Sequence, residues 1–180
     1  MHVLFFLLET LFFFLMASAM LRAWMNHLRV NMSGQPGRFA IAVTDWLVQP
    51  VRRVLPRSLA QSRVDWGSLV AVALLALAYG ALSLGLVSMF ASVPGSPVLE
   101  LVERSIRILL RVLLQGWMIL LLGYAILSWV QPQSPVLGTL DRLCAPVLRP
   151  VRRLIPLIGG VDLSVLVLLI LLQIGLIVLG

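Results

Sequence analysis

Four stretches of this chain, Val3–Ala23, Leu69–Phe90, Ile108–Val130 and Val161–Leu179, are almost unbroken runs of apolar residues. Each is close to the roughly 20 residues that a helix needs to cross a bilayer. A backbone placed in lipid must satisfy its own polar groups, so such runs restrict the chain to helices. The composition agrees, since 61% of residues are hydrophobic and 12% charged, which excludes an ordinary soluble domain. Ala17-Ser18-Ala19 resembles a signal-peptide cleavage site, but the run before it lacks a basic leader and is too long. The first run is therefore read as a span.

The net charge of +7 comes from fourteen basic residues, all Arg. They do not indicate nucleic acid, because they sit in short segments between apolar runs, where they orient a membrane protein and meet lipid phosphates. The first such segment carries Arg29, Arg38, Arg52, Arg53, Arg57 and Arg63, with Arg22 at its edge; the second carries Arg142, Arg149, Arg152 and Arg153. The positive-inside bias places both in the cytoplasm and both termini outside. Trp24 and Trp129 would mark the cytoplasmic ends of the first and third spans. The central connection holds Glu100/Arg104 and Glu103/Arg107 at i, i+4, the pattern of a solvated helix over 98–107 that runs into the span 108–130. It either projects from the membrane or lies along it.

Self-similarity organises the rest. Pro50-Val51-Arg52-Arg53-Val54-Leu55-Pro56 recurs as Pro150-Val151-Arg152-Arg153-Leu154-Ile155-Pro156, identical at five of seven positions. Each copy is followed by a Val-Asp step, at Asp65 and Asp162, that opens the next apolar run. The expected fold is thus an all-α membrane protein of four transmembrane helices in two parallel units. Unit 1–92 holds a span at 3–23, an amphipathic interfacial helix at 38–56 and a span at 69–90. Unit 93–180 holds the surface helix 98–107, a span at 108–130, an interfacial helix at 136–156 and a span at 161–179. In the second interfacial helix Val136, Leu137, Leu140, Leu143, Cys144, Val147, Leu148 and Val151 form the apolar face. In the first, Phe39, Val43, Trp46, Leu47 and Val51 do so. Pro50 and Pro56, like Pro150 and Pro156, bracket an Arg pair and are expected to break the helix there.

The stretch from Ala145 to Ser164, including Pro150, Arg152, Arg153, Pro156, Gly159, Gly160 and Asp162, resembles the signature of the YggT (YlmG) family of small bacterial membrane proteins. The similarity extends over nearly the whole chain as two family units. The first unit departs from the pattern, with Trp46 in place of a proline and Ser58–Arg63 in place of the Gly-Gly turn. The resemblance implies an accessory role in the bacterial cytoplasmic membrane, in division and envelope organisation or tolerance of osmotic shock. In plastid relatives it implies assembly of a cytochrome complex.

Several residues stand out as candidates. Arg52, Arg53, Arg149, Arg152 and Arg153 would bind anionic lipid or a membrane-protein partner, or would only set topology. Asp65 and Asp162 would cap their helices, pair with the neighbouring arginines, or do both. Glu9, Arg111, Gln115 and Gln173 lie within apolar runs, where ionisable groups are costly and point to function. Glu9 and Arg111 either pair across helices or reach for water at the helix ends. In the second span, Ala76/Gly80 and Ala81/Gly85 allow close helix packing or self-association.

No Ser/His/Asp or Cys/His grouping, phosphate loop or carboxylate pair accompanies these residues, so no enzyme is expected. One cysteine, Cys144, and two isolated histidines, His2 and His27, give no metal site, and no cofactor is expected. Two functions fit the sequence: an adaptor or assembly factor working through its Arg segments, and a channel or transporter component that would have to form a homo-oligomer.

Overall fold

The computed structural model describes residues 2–56, 64–89, 96–154 and 162–180. These residues are all-helical, with six helices and no strand: α1 (His2–His27), α2 (Gly37–Val54), α3 (Trp66–Ser88), α4 (Pro97–Val130), α5 (Pro135–Leu154) and α6 (Leu163–Leu179). α1, α3 and α4 are long and apolar enough to cross a membrane, and α6 is a shorter apolar helix of 17 residues. Pro156, Gly159 and Gly160, with Arg57 and Arg63, lie outside the described residues.

α1, α3 and α4 pack against one another, and α6 packs on α4. α2 covers one end of the α1–α3 pair, and α5 covers the same end of α4 and α6. Large apolar side chains such as Phe6, Leu74, Ile119 and Ile170 are exposed on the outward faces of the long helices, as lipid-facing surfaces require. Inside, Met16, Leu75, Ala76 and Val112 join α1, α3 and α4. Leu121, Cys144, Leu148, Val165 and Leu168 join α4, α5 and α6.

α4 runs unbroken for 34 residues, about 51 Å at 1.5 Å per residue. Val98 and Leu99 in its first turn are exposed, but by the third turn the helix is held to α3: Ser105 is buried, donating to the Ala76 carbonyl oxygen at 3.3 Å. Gly80 makes this approach feasible, since a Cβ there would come within 2.7 Å of Ser105 Oγ. Ala76/Gly80 is therefore an internal packing seam, whereas a Cβ on Gly85 would meet open space.

The expected breaks at Pro50 and Pro150 do not occur. Both prolines lie inside helices, which continue through the Arg pairs to Val54 and Leu154. A proline interrupts only the bond to the carbonyl four residues back. Those carbonyls belong to Trp46 and Pro146, both exposed, and can be solvated from outside. α2 stops instead before Pro56, where Leu55 is extended at φ −70°, ψ 139°, as steric contact with a following proline demands.

The amphipathic faces also differ from expectation. α2 buries Ala40, Thr44 and Val48 against the bundle and leaves Phe39 and Trp46 exposed. The apolar stripe read from the sequence is in part an outer face, and Ala40, Thr44 and Val48, with Leu47 beside them, make the protein contact. α5 does the reverse: Leu140, Leu143, Cys144 and Leu148 dock on the protein itself rather than facing outward.

Candidate functional site

Two constellations of polar residues occupy opposite ends of the helical bundle. The first lies where α2 and α5 meet the helices that follow them. Because α2 stays helical through residue 54, Arg52 and Arg53 are about 100° apart around its axis and have different surroundings. Arg52 Nη2 donates to Asp65 Oδ2 at 2.7 Å. The other oxygen of Asp65 caps α3, accepting from the Ser68 backbone N–H at 3.2 Å, and the Ser68 hydroxyl donates to Oδ2 at 2.9 Å. Asp65 thus both caps and pairs. Its side chain is 3% exposed. Burial pushes the carboxyl upward, but the bonds from Arg52 and Ser68 outweigh it and hold the group below its usual value. Gly67 makes room for the arginine stem, since a Cβ there would lie 2.4 Å from Arg52 Cγ.

Between α5 and α6 a similar clamp is built with different supports. Arg152 Nε and Nη2 both lie 2.7 Å from Asp162 Oδ2, and Asp162 caps α6 through the Ser164 N–H at 3.1 Å. Arg152 Nη2 also donates to the Tyr124 hydroxyl at 2.9 Å, and Asp141 is 3.9 Å from Nη1. Burial works against the charged guanidinium, yet Asp162 and Tyr124 hold its pKa above the usual arginine value. The Ser164 hydroxyl is buried with no hydrogen-bond partner among the described residues, unlike that of Ser68. The five candidate arginines therefore separate into two groups. Arg52 and Arg152 are tied to aspartates, whereas Arg53, Arg149 and Arg153 are exposed and form no ion pair among the described residues. On α5, Arg142, Arg149 and Arg153 follow one another at i, i+7 and i+11, a single exposed stripe.

Sequence reasoning missed another pair at this end. Arg22, counted there as a topology charge, is buried and donates through both terminal nitrogens to Asp45 Oδ1 at 3.1 Å, joining α1 to α2. Asp45, the one charged residue in the 39–48 stretch, was the available signal. Trp24, near the end of α1, is half-buried. Its indole donates to the Leu143 carbonyl at 3.2 Å and meets the Trp117 ring edge-on at 5.4 Å, while Trp129 is exposed.

The second constellation sits near the N-terminus of α1 and the C-terminus of α6. There the structure brings together Glu9, Arg111, Gln115 and Gln173, which line one cavity of about 790 Å³. The cavity is a cleft between α1 and α6 with α4 as its floor. Arg111, Gln115, Met118 and Leu122 project from one stripe of α4, Glu9 from α1 and Gln173 from α6. Arg111 Nη1 and Glu9 Oε1 are 3.7 Å apart, and Arg111 also donates to the Gly180 carbonyl oxygen. Tyr79 of α3 also lines the cleft.

The family model CCB3/YggT matches residues 1–87 and again residues 103–180. YggT of Escherichia coli (strain K12), an uncharacterized protein, is 32% identical over 175 residues, covering 97% of this chain and 87% of that one. An uncharacterized protein of Vibrio alginolyticus, named for its position in the proC 3′ region, is 34% identical over 179 residues, covering 96% and 91%. No solved structure matches the chain. With both regions of the chain matched and relatives alike over nearly their whole length, this protein belongs to the CCB3/YggT family.

Proposed function

We propose that this chain is a non-enzymatic adaptor of the bacterial cytoplasmic membrane that organises or assembles envelope components through two cytoplasmic Arg segments. In this reading the chain is a tandem repeat of two units and crosses the membrane four times. α6 makes the fourth crossing, and both termini lie outside. The observation that carries the proposal is the duplicated clamp. Asp65 and Asp162 hold Arg52 and Arg152 against the following helices, so Arg53, Arg149 and Arg153 are presented from rigid helices beside the bilayer. Their contact is with anionic headgroups, and through them with a membrane-protein partner gathered at the same surface.

The test compares wild type with Arg53→Ala/Arg149→Ala/Arg153→Ala, which leaves both clamps intact. At about 1 kcal/mol per basic residue near the surface, the variant should lose about 3 kcal/mol of anionic-lipid affinity, roughly a hundredfold. Titration of phosphatidylglycerol into the detergent-solubilised proteins reads this directly, and purification from native membranes reads the partner. Equal lipid affinity and equal co-purification in both proteins would refute the adaptor.

The second reading, an oligomeric channel or transporter component, draws on the cleft and its four polar residues. Ion flux through vesicles containing only the purified protein separates the two, because an adaptor is silent there.

A further inference from the structure

The cleft between α1 and α6 has chemistry that the Arg segments do not explain. Its two charges, Glu9 and Arg111, are opposite in sign and sum to zero, which disfavours a bare ion as its occupant. They are held loosely: 3.7 Å is beyond hydrogen-bond distance, and their side chains are 56% and 35% exposed. Among the described residues, Glu9, Gln115 and Gln173 make no side-chain hydrogen bond, and Arg111 makes one, to the Gly180 carbonyl. Polar capacity left open inside an apolar segment is costly unless something fills it. Meanwhile the rim is apolar: Phe6, Ile119, Leu122 and Ile177 line the cleft and are themselves exposed. The cleft therefore opens sideways onto the acyl region as well as toward the end of the bundle. Most of its lining is apolar, with the charged and amide groups confined to Glu9, Arg111, Gln115 and Gln173, which suits a docked amphipathic molecule.

We infer that the cleft binds one zwitterionic phospholipid from the surrounding leaflet, with its ammonium at Glu9, its phosphate at Arg111 and its acyl chains along the apolar rim. Gln115 and Gln173 supply neutral donors and acceptors to the glycerol and ester region. This site is independent of the Arg segments, and the triple arginine variant described above should retain it.

The experiment is native mass spectrometry of the full chain in mild detergent, titrated with phosphatidylethanolamine or phosphatidylglycerol. Wild type should retain one phosphatidylethanolamine in preference to phosphatidylglycerol. Arg111→Gln should lose both lipids by tenfold or more, the size of one lost charge-assisted bond. Glu9→Gln leaves Arg111 without its counter-charge, so the preference should shift at least tenfold toward phosphatidylglycerol, a reversal that simple loss of structure does not produce. Ile119→Trp narrows the cleft without touching its charges and should expel the lipid; it keeps the test decisive if either charge variant unfolds. Glycerophosphoethanolamine, which lacks acyl chains, should bind far more weakly. Absence of a stoichiometric lipid, equal retention of both lipids by wild type, unchanged selectivity in Glu9→Gln, or a protein dimer with an empty cleft would each overturn the inference.

Discussion

At Asp65, the two roles that its sequence position leaves open coincide in one carboxylate: one oxygen caps α3, and the other takes the guanidinium of Arg52. Asp65→Asn keeps the cap but loses the ion pair. Because the aspartate is buried and Arg52 is half exposed, the expected loss is about 1–2 kcal/mol rather than that of a fully buried pair. Asp162→Asn should cost less, under about 1 kcal/mol, since Arg152 keeps Tyr124 and Asp141. Thermal unfolding of the two variants in detergent checks the order. The Asp65 pair also predicts a pH dependence. Its folded carboxyl titrates below the ordinary aspartate value, so its contribution is complete above that value and disappears as pH falls through the lower folded one. Wild type and Asp65→Asn should therefore differ in stability at pH 6 and converge only below about pH 4. Nothing in the sequence ranks the two aspartates. The ranking comes from burial and from Tyr124, which lies far from either motif.

Among the elements, the α3–α4 seam shows how much hangs on one missing side chain. Gly80→Ala would drive a methyl group against Ser105 and Leu101 and should cost about 1–3 kcal/mol, whereas Gly85→Ala meets open space and should change stability by less than about 1 kcal/mol. Denaturation of each variant tests this, and the sequence, with both glycines at the same small-residue spacing, cannot choose between them. α5 gives a chemical counterpart. Burial, aided by Asp141 and opposed by Arg152, pushes the Cys144 thiol up to about 12. Maleimide at pH 8 should thus leave the folded protein unlabelled and modify it only on unfolding. The apolar periodicity of α5 was legible from its residues. That its face is turned onto the protein rather than the headgroups follows from the space between α4 and α6, which no local pattern records.

On the scale of the molecule, the arginine pairs and the polar cleft occupy opposite ends of one bundle, as separate membrane faces would require. The silent Cys144 permits single-cysteine labelling at Arg53, Arg153 and Gly180. The four-span arrangement predicts that the first two react from one side of the membrane and Gly180 from the other. Reaction of all three from one side would instead mean that α6, with 17 residues and about 26 Å of length, does not cross. The cleft was half legible: each of Glu9, Arg111, Gln115 and Gln173 stands out in an apolar run, but their convergence needs α1 and α6 to flank α4.

What the sequence determined by itself is the set of helices and the chemistry each carries. Apolar runs of membrane length, a repeated Pro-Val-Arg-Arg motif and aspartates at helix starts act through local forces, namely solvation, backbone geometry and capping. The tertiary structure decided which arginine of each pair is clamped, which glycine is a contact and where α4 first meets α3. It also decided whether four isolated polar residues form one site. Those outcomes depend on distances between segments far apart in the chain, and a one-dimensional pattern states the residues available for such contacts without stating which of them meet.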